Sequence, residues 1–208
     1  MSDMPPIHQY ITDDLFRQGV AFLDAGRVDA LADHIGRHPS LLSDPAAFSE
    51  TFFISGTQAG QYFEHPKLLW FVAENPIRNN AYPENIVDII QCIIDRQRKH
   101  SPDTLQQDLD YTLGLVTSGT VPRKTGKLSD LVGVLVENGG DPNCADAGLA
   151  HGERDAIQAL IDAGAEVNLL MAAGMGLEDD LQRLLPDADE ETKQKALACA
   201  ASCSQPIT

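Results

Sequence analysis

Gly152-Glu-Arg-Asp-Ala-Ile-Gln-Ala-Leu-Ile-Asp-Ala-Gly164-Ala-Glu-Val-Asn168 carries the pattern from which the architecture is read. Ile157, Leu160 and Ile161 stand three and one residues apart, which places them on one stripe of a helix. Gly164 follows where that helix would stop, because glycine takes the left-handed backbone conformation without a Cβ clash. The same pattern stands 25 residues earlier, where Val132, Leu135 and Val136 precede Gly139-Gly140-Asp141-Pro142-Asn143. A second correspondence, at an offset of 28, pairs Leu169-Leu170-Met171-Ala172-Ala173-Gly174-Met175-Gly176 with Leu197-Ala198-Cys199-Ala200-Ala201-Ser202-Cys203-Ser204. Paired alanines let such a helix approach its neighbours closely, as the inner face of a stacked repeat requires. Self-similarity at a short fixed period is the mark of repeat architecture.

Outward from this stretch, Ala, Leu, Asp and Glu dominate, and apolar residues recur at three-and-four spacing, so the chain reads as helix nearly throughout. Only Thr51-Phe-Phe-Ile-Ser55 has strand-like composition, and it is too short to decide between strand and helix. Gly, Pro and Asn punctuate short helical segments, which predicts paired helices rather than long coiled coils. A first helix is expected over 14–25, with its partner opening at Gly26-Arg27-Val28-Asp29-Ala30-Leu31 and running to about His38. A divergent pair is expected over 67–73 and 84–99. Another comprises Leu113-Gly-Leu-Val-Thr-Ser-Gly119 followed by 127–143.

These patterns resemble the ankyrin repeat. Residues 152–168 match that family's second helix without a gap, and 169–176 match the first helix of the following repeat. The resemblance is specific over about 127–204 and divergent over about 14–126. It implies an all-α fold of helix-turn-helix repeats stacked as a solenoid, a single domain over 1–208 with roughly five repeats and a capping helix near 190–204. The family's period is about 33 residues, whereas two units here repeat at 25 to 28. The missing residues are the turn and the Thr-Pro-Leu-His segment that build the projecting hairpin. An insertion at 120–125, a long stretch at 42–65 and Pro186, which cuts one second helix short, are further departures. Whether 42–125 forms regular repeats or a specialised insertion stays open. The implied function is a non-enzymatic protein–protein interaction module. An enzyme with its site in 42–125 and a self-assembling subunit are the alternatives.

Charge constrains the partner. The 208 residues hold 15 Lys and Arg against 31 Asp and Glu, a formal net charge of −16 at pH 7, while 43% of residues are apolar. Disorder is excluded as a general state by that apolar content. The acidity opposes nucleic acid and anionic membranes, which both require clustered positive charge. From Glu137 to Glu191 fourteen acids meet two bases, whereas from Arg96 to Lys127 six bases meet three acids. One end of the chain therefore carries most of the imbalance, and a basic protein is the partner that such a field would steer. Asp146, Glu153, Glu178 and Asp179 are the candidate contacts there.

Other constellations carry less. Gly119-Thr-Val-Pro-Arg-Lys-Thr-Gly126-Lys127-Leu128 has six residues between its glycines and a Leu where a phosphate loop needs a hydroxyl, so it reads as an inter-helix turn. Asp187-Ala-Asp189-Glu190-Glu191 lacks the central Gly and distal Glu of a calcium loop and reads as a helix start. His34 and His38 lie one turn apart, but His34 falls at a packing position of the repeat. Cys92 and Cys199 have apolar or small neighbours and read as small buried hydrophobes. Cys199 and Cys203 are one turn apart with no further ligands beside them. No metal, cofactor or catalytic residue is expected. No leader or membrane-spanning segment is read, and a reducing cytoplasm is the expected compartment. Aromatics cluster between Phe48 and Tyr82. Within that cluster Trp70 and Phe71 are predicted core, while Tyr62 and Tyr82, in polar context, are the candidate partner anchors.

Overall fold

Helical periodicity governs every segment that the computed structural model describes, residues 7–49, 62–144 and 153–203. Ten α-helices are found among them: α1 (Asp14–Asp24), α2 (Val28–Arg37), α3 (Ile86–His100), α4 (Pro102–Ser118), α5 (Thr120–Lys124), α6 (Leu128–Glu137), α7 (Arg154–Asp162), α8 (Leu169–Met175), α9 (Glu178–Leu184) and α10 (Glu190–Cys203). Short 3-10 helices occupy Ile7–Tyr10, Pro39–Leu42, Leu68–Ala73 and Pro142–Cys144. The described residues contain no strand, only an isolated antiparallel bridge between Ile11 and Phe48. The described residues are all-α, as expected; the strand-like stretch at 51–55 lies outside them.

Five described helices end in one hydrogen-bonded geometry. At the first kind of turn, Gly26, Gly126 and Gly176 have φ of 64°, 69° and 74°, where an L side chain would be strained. The next amide reaches back over the helix end each time: Arg27 N to Phe22 O, Lys127 N to Pro122 O and Leu177 N to Ala172 O, all 2.9 Å. Each of these residues then accepts the first bond of the following helix, from Leu31, Leu131 and Leu181. At the second kind of turn Gly139 and Gly164 have φ of 109° and 98°. Here Gly140 N donates to Leu135 O at 2.9 Å and Ala165 N to Leu160 O at 3.0 Å. These are Schellman closures, which satisfy carbonyls that a helix end otherwise leaves unpaired. The 25-residue offset of the sequence is thus a repeated backbone geometry. The apolar positions agree: Val132 and Ile157, and Leu135 and Leu160, are all buried.

Packing joins these helices pairwise: α1, the Leu68–Ala73 helix and α4 touch in succession, and α8 lies against α10. A second row of contacts runs from α2 to α3, from α3 to α6 and from α6 to α7. α3 is the spine of that row, with Ile86, Ile89, Ile90, Ile93 and Ile94 on one stripe and fully buried. Each such side chain contributes roughly 1.5–3 kcal/mol by leaving water. Where α7, α8 and α10 converge, Gly174 has no room for a side chain: an added Cβ would lie 2.8 Å from Ile157 Cδ1 and about 3 Å from the sulfurs of Cys199 and Cys203.

The divergent half departs in three places. The segment expected as a helix at 67–73 is a 3-10 helix, closed by Glu74 in the left-handed conformation at φ 50°. The helix expected to begin near Leu113 begins at Pro102, which stands at its first turn after Ser101. The insertion at 120–125 is mostly α5. Residues 74–80 are pinned by a buried clasp. The Glu74 carboxylate accepts the backbone amides of Arg78, Asn79 and Asn80 at 3.1, 2.9 and 3.1 Å. Arg78 donates to Phe71 O and to Asp24 at the end of α1, each at 2.6 Å, and pairs with Glu74 at 2.8 Å.

Candidate interaction surfaces

The acidic end is built from α7, α8, α9 and their connections. Asn143 ties the turn after α6 to the turn after α7, its Oδ1 accepting Glu166 N at 2.8 Å, and Asn168 caps α8 by accepting Met171 N at 3.0 Å. Both bases of this stretch are engaged within the fold. Arg154 donates to the carbonyls of Gly174 and Met175 at 3.2 and 3.4 Å, and Arg183 pairs with Asp180 at 2.6 Å. Asp155, Asp162, Glu166, Glu178, Asp179, Asp187, Glu190 and Glu191 are exposed. A concentration of like charge this dense raises the local concentration of cations and cationic surfaces.

The sequence candidates fall differently within this end. Glu178 and Asp179 are exposed in the first turn of α9, where negative charge also complements the helix dipole. Glu153 stands immediately before α7 without a side-chain cap and pairs with Arg123 at 2.9 Å, so its carboxylate is partly committed to the fold. Asp146 lies outside the described residues. Asp189 accepts Thr192 N at 2.7 Å as the start of α10, and that hydrogen bond holds its carboxyl below the usual range. Beside α9 a groove of about 500 Å³ is lined by Glu166, Val167, Asn168, Asp180, Arg183 and Leu184. No local pattern encodes this groove, because it depends on how the 166–168 connection passes α9.

Tyr62 and Tyr82 separate. Tyr62 is 36% exposed, and its hydroxyl donates to Asn75 Oδ1 at 3.1 Å. Tyr111 of α4 donates its own hydroxyl to Tyr62 O and lies over Trp70 with ring centroids 4.1 Å apart. Behind them Trp70 Nε1 donates to Asp108 Oδ1 at 3.2 Å, and burial pushes the Asp108 carboxyl up against the opposing hydrogen bonds from Gln97 and Trp70. Asn75 is fixed in turn by donating to Leu115 O and Ser118 Oγ, both at 3.1 Å. The result is a hydrogen-bonded aromatic ledge formed by Tyr62, Trp70 and Tyr111. Tyr82 instead is half-buried against the core, with its hydroxyl donated to Ala73 O at 3.0 Å, and burial raises its pKa well above that of a free phenol. Its polar setting in sequence reflects the Glu74–Arg78 clasp beside it.

His34 is buried and bonds through Nε2 to Leu15 O at 2.8 Å, packed between Phe22 and His38. Cys199 is buried, Cys92 and Cys203 are half-buried and Cys144 is exposed. The described residues hold no cluster of three or more groups able to ligate a metal, and no described helix is long and apolar enough to cross a membrane. Comparison with protein-family models, curated proteins and solved structures finds no match to this chain.

Proposed function

We propose that the chain is a divergent ankyrin-type stack that works as a non-enzymatic protein-interaction module and recruits a basic protein partner to its acidic C-terminal end. The carrying observation is the exposed carboxylate face of α7–α9, on which Arg154 and Arg183 are spent on internal bonds. The repeat reading is supported by the glycine-closed turns recurring at Gly26, Gly126 and Gly176 and at Gly139 and Gly164, and by the serial packing of α2, α3, α6 and α7. Recruitment of this kind is electrostatic in origin, so it speeds encounter and weakens with salt.

The test is an affinity pull-down from native cell extract at low and high salt, with the wild-type chain and with Glu178→Gln/Asp179→Asn. A basic protein recovered by the wild type at low salt, and reduced both by high salt and by the variant, supports the proposal. Recovery of only the protein itself favours self-assembly. A partner that is indifferent to salt and to the variant contradicts the electrostatic reading.

A further inference from the structure

The last helices occupy repeat positions without the cover those positions have elsewhere. Counting from the turn glycines, Leu31 and Leu131 stand five residues on, Ile35 and Leu135 nine residues on, and all four are fully buried. The same two positions after Gly176 are Leu181, which is half-exposed, and Leu185, which is 47% exposed. α9 contains no buried residue at all. On α10 the stripe of Ala196, Cys199 and Cys203 faces α8, while Leu197, the counterpart of buried Leu169 at the 28-residue offset, is 73% exposed. A helix with apolar residues on opposite sides is built for neighbours on both. Identical register with unequal burial leaves these leucines without the cover that their counterparts have.

The surroundings select what fits. Glu178 and Asp179 on α9 and Asp187 on the connection to α10 are exposed, and the bases nearby are paired: Arg183 with Asp180, Lys193 with Glu190 and Lys195 with Glu191. A second copy of this chain would bring the same acidic end against itself, and like charge across an interface is repulsive. We infer that this end of the stack docks a basic amphipathic helix of the partner, its aliphatic stripe covering Leu181 and Leu185, which stand one turn apart on α9 and its C-cap, and its Lys or Arg residues facing the Glu178 and Asp179 carboxylates of the same helix. This rests on the proposed recruitment of a basic protein and adds the form of the recognised segment.

Two synthetic peptides of equal Leu and Lys content separate the two ideas. One has its leucines on a single helical stripe, and the other has them dispersed. Binding to the full chain is measured by titration calorimetry, with sedimentation velocity as a parallel readout. The striped peptide should bind roughly tenfold tighter or better, since covering one large aliphatic side chain accounts for about that factor. Leu185→Gln should remove this preference while leaving the melting temperature and the salt-sensitive binding of the dispersed peptide in place. Equal binding of the two peptides, or a preference that Leu185→Gln leaves intact, overturns the helix-docking inference and leaves acidic recruitment standing. Failure of both peptides to bind overturns both. Self-association that Leu185→Gln abolishes assigns the face to a second copy and overturns the partner helix.

Discussion

Arg78→Ala is the most severe single change expected in the divergent half. The side chains of Arg78 and Glu74 are each 2% exposed, and their ion pair is 2.8 Å long. Removing the guanidinium leaves the Phe71 carbonyl without its 2.6 Å donor, Asp24 without its partner, and a buried Glu74 carboxylate without its countercharge. Breaking a buried pair from one side costs about 3–5 kcal/mol, because the surviving charge stays desolvated. The three backbone amides that still donate to Glu74 place the loss near the lower end, about 3 kcal/mol. With a urea slope of ~1–3 kcal/mol per molar, the unfolding midpoint should fall by about 1–3 M at an unchanged slope. Arg78→Lys should lose much of this too, since an ammonium cannot reproduce the fork that reaches Phe71, Asp24 and Glu74 together. Adding Glu74→Gln to Arg78→Ala should recover part of the loss, because it removes the orphaned charge. A loss below about 1 kcal/mol, or a lysine variant equal to wild type, would refute the view that this clasp holds the 74–80 loop to α1.

Other perturbations have separate signatures. Gly174→Ala should destabilise by about 1–3 kcal/mol in thermal unfolding, because its Cβ would meet Ile157 Cδ1 at 2.8 Å, whereas Gly133→Ala, with nothing within 4 Å, should stabilise α6 by about 0.5–1 kcal/mol. The Asp108 carboxyl titrates above its unfolded value, so the folded state binds its proton more readily than the unfolded chain does. Its favourable contribution is therefore fully present below the unfolded pKa and lost as pH rises through the folded one. The difference in unfolding free energy between wild type and Asp108→Asn should shift towards the wild type as pH falls, and the opposite slope contradicts the burial argument. Cys144 is exposed, yet desolvation together with Asp110 and Asp141 pushes its thiol up to about 11. Alkylation followed by mass spectrometry should show Cys144 reacting well below the rate of a free cysteine at neutral pH and accelerating steeply only in alkali.

Features governed by local chemistry could be read before the fold was seen. α1, α2, α8 and α10 lie close to their expected bounds, because turn glycines and three-and-four apolar spacing act within a few residues. α4 starts eleven residues before the Leu113 expected from the repeat pattern, at Ser101-Pro102, which is a helix-start signal in its own right. What remained hidden depends on distant partners. Tyr62 meets Tyr111 across 49 residues, and Arg78 meets Asp24 across 54, contacts that no local pattern encodes. Tyr82 and Tyr62 looked alike in sequence for the same reason, and only the packing of Glu74 and Ala73 separates them. The exposed leucines of α9 and α10 needed both kinds of information: the repeat register came from sequence and the unequal burial from the fold.

Salt-dependent affinity tests the proposed recruitment most directly. The partner recovered by pull-down is titrated into the wild-type chain and into Glu178→Gln/Asp179→Asn across a range of ionic strength. Affinity that falls steeply with salt for the wild type, and is lower and flatter for the variant with no change in melting temperature, is the predicted result. Affinity that is independent of salt and equal for the two proteins would contradict it.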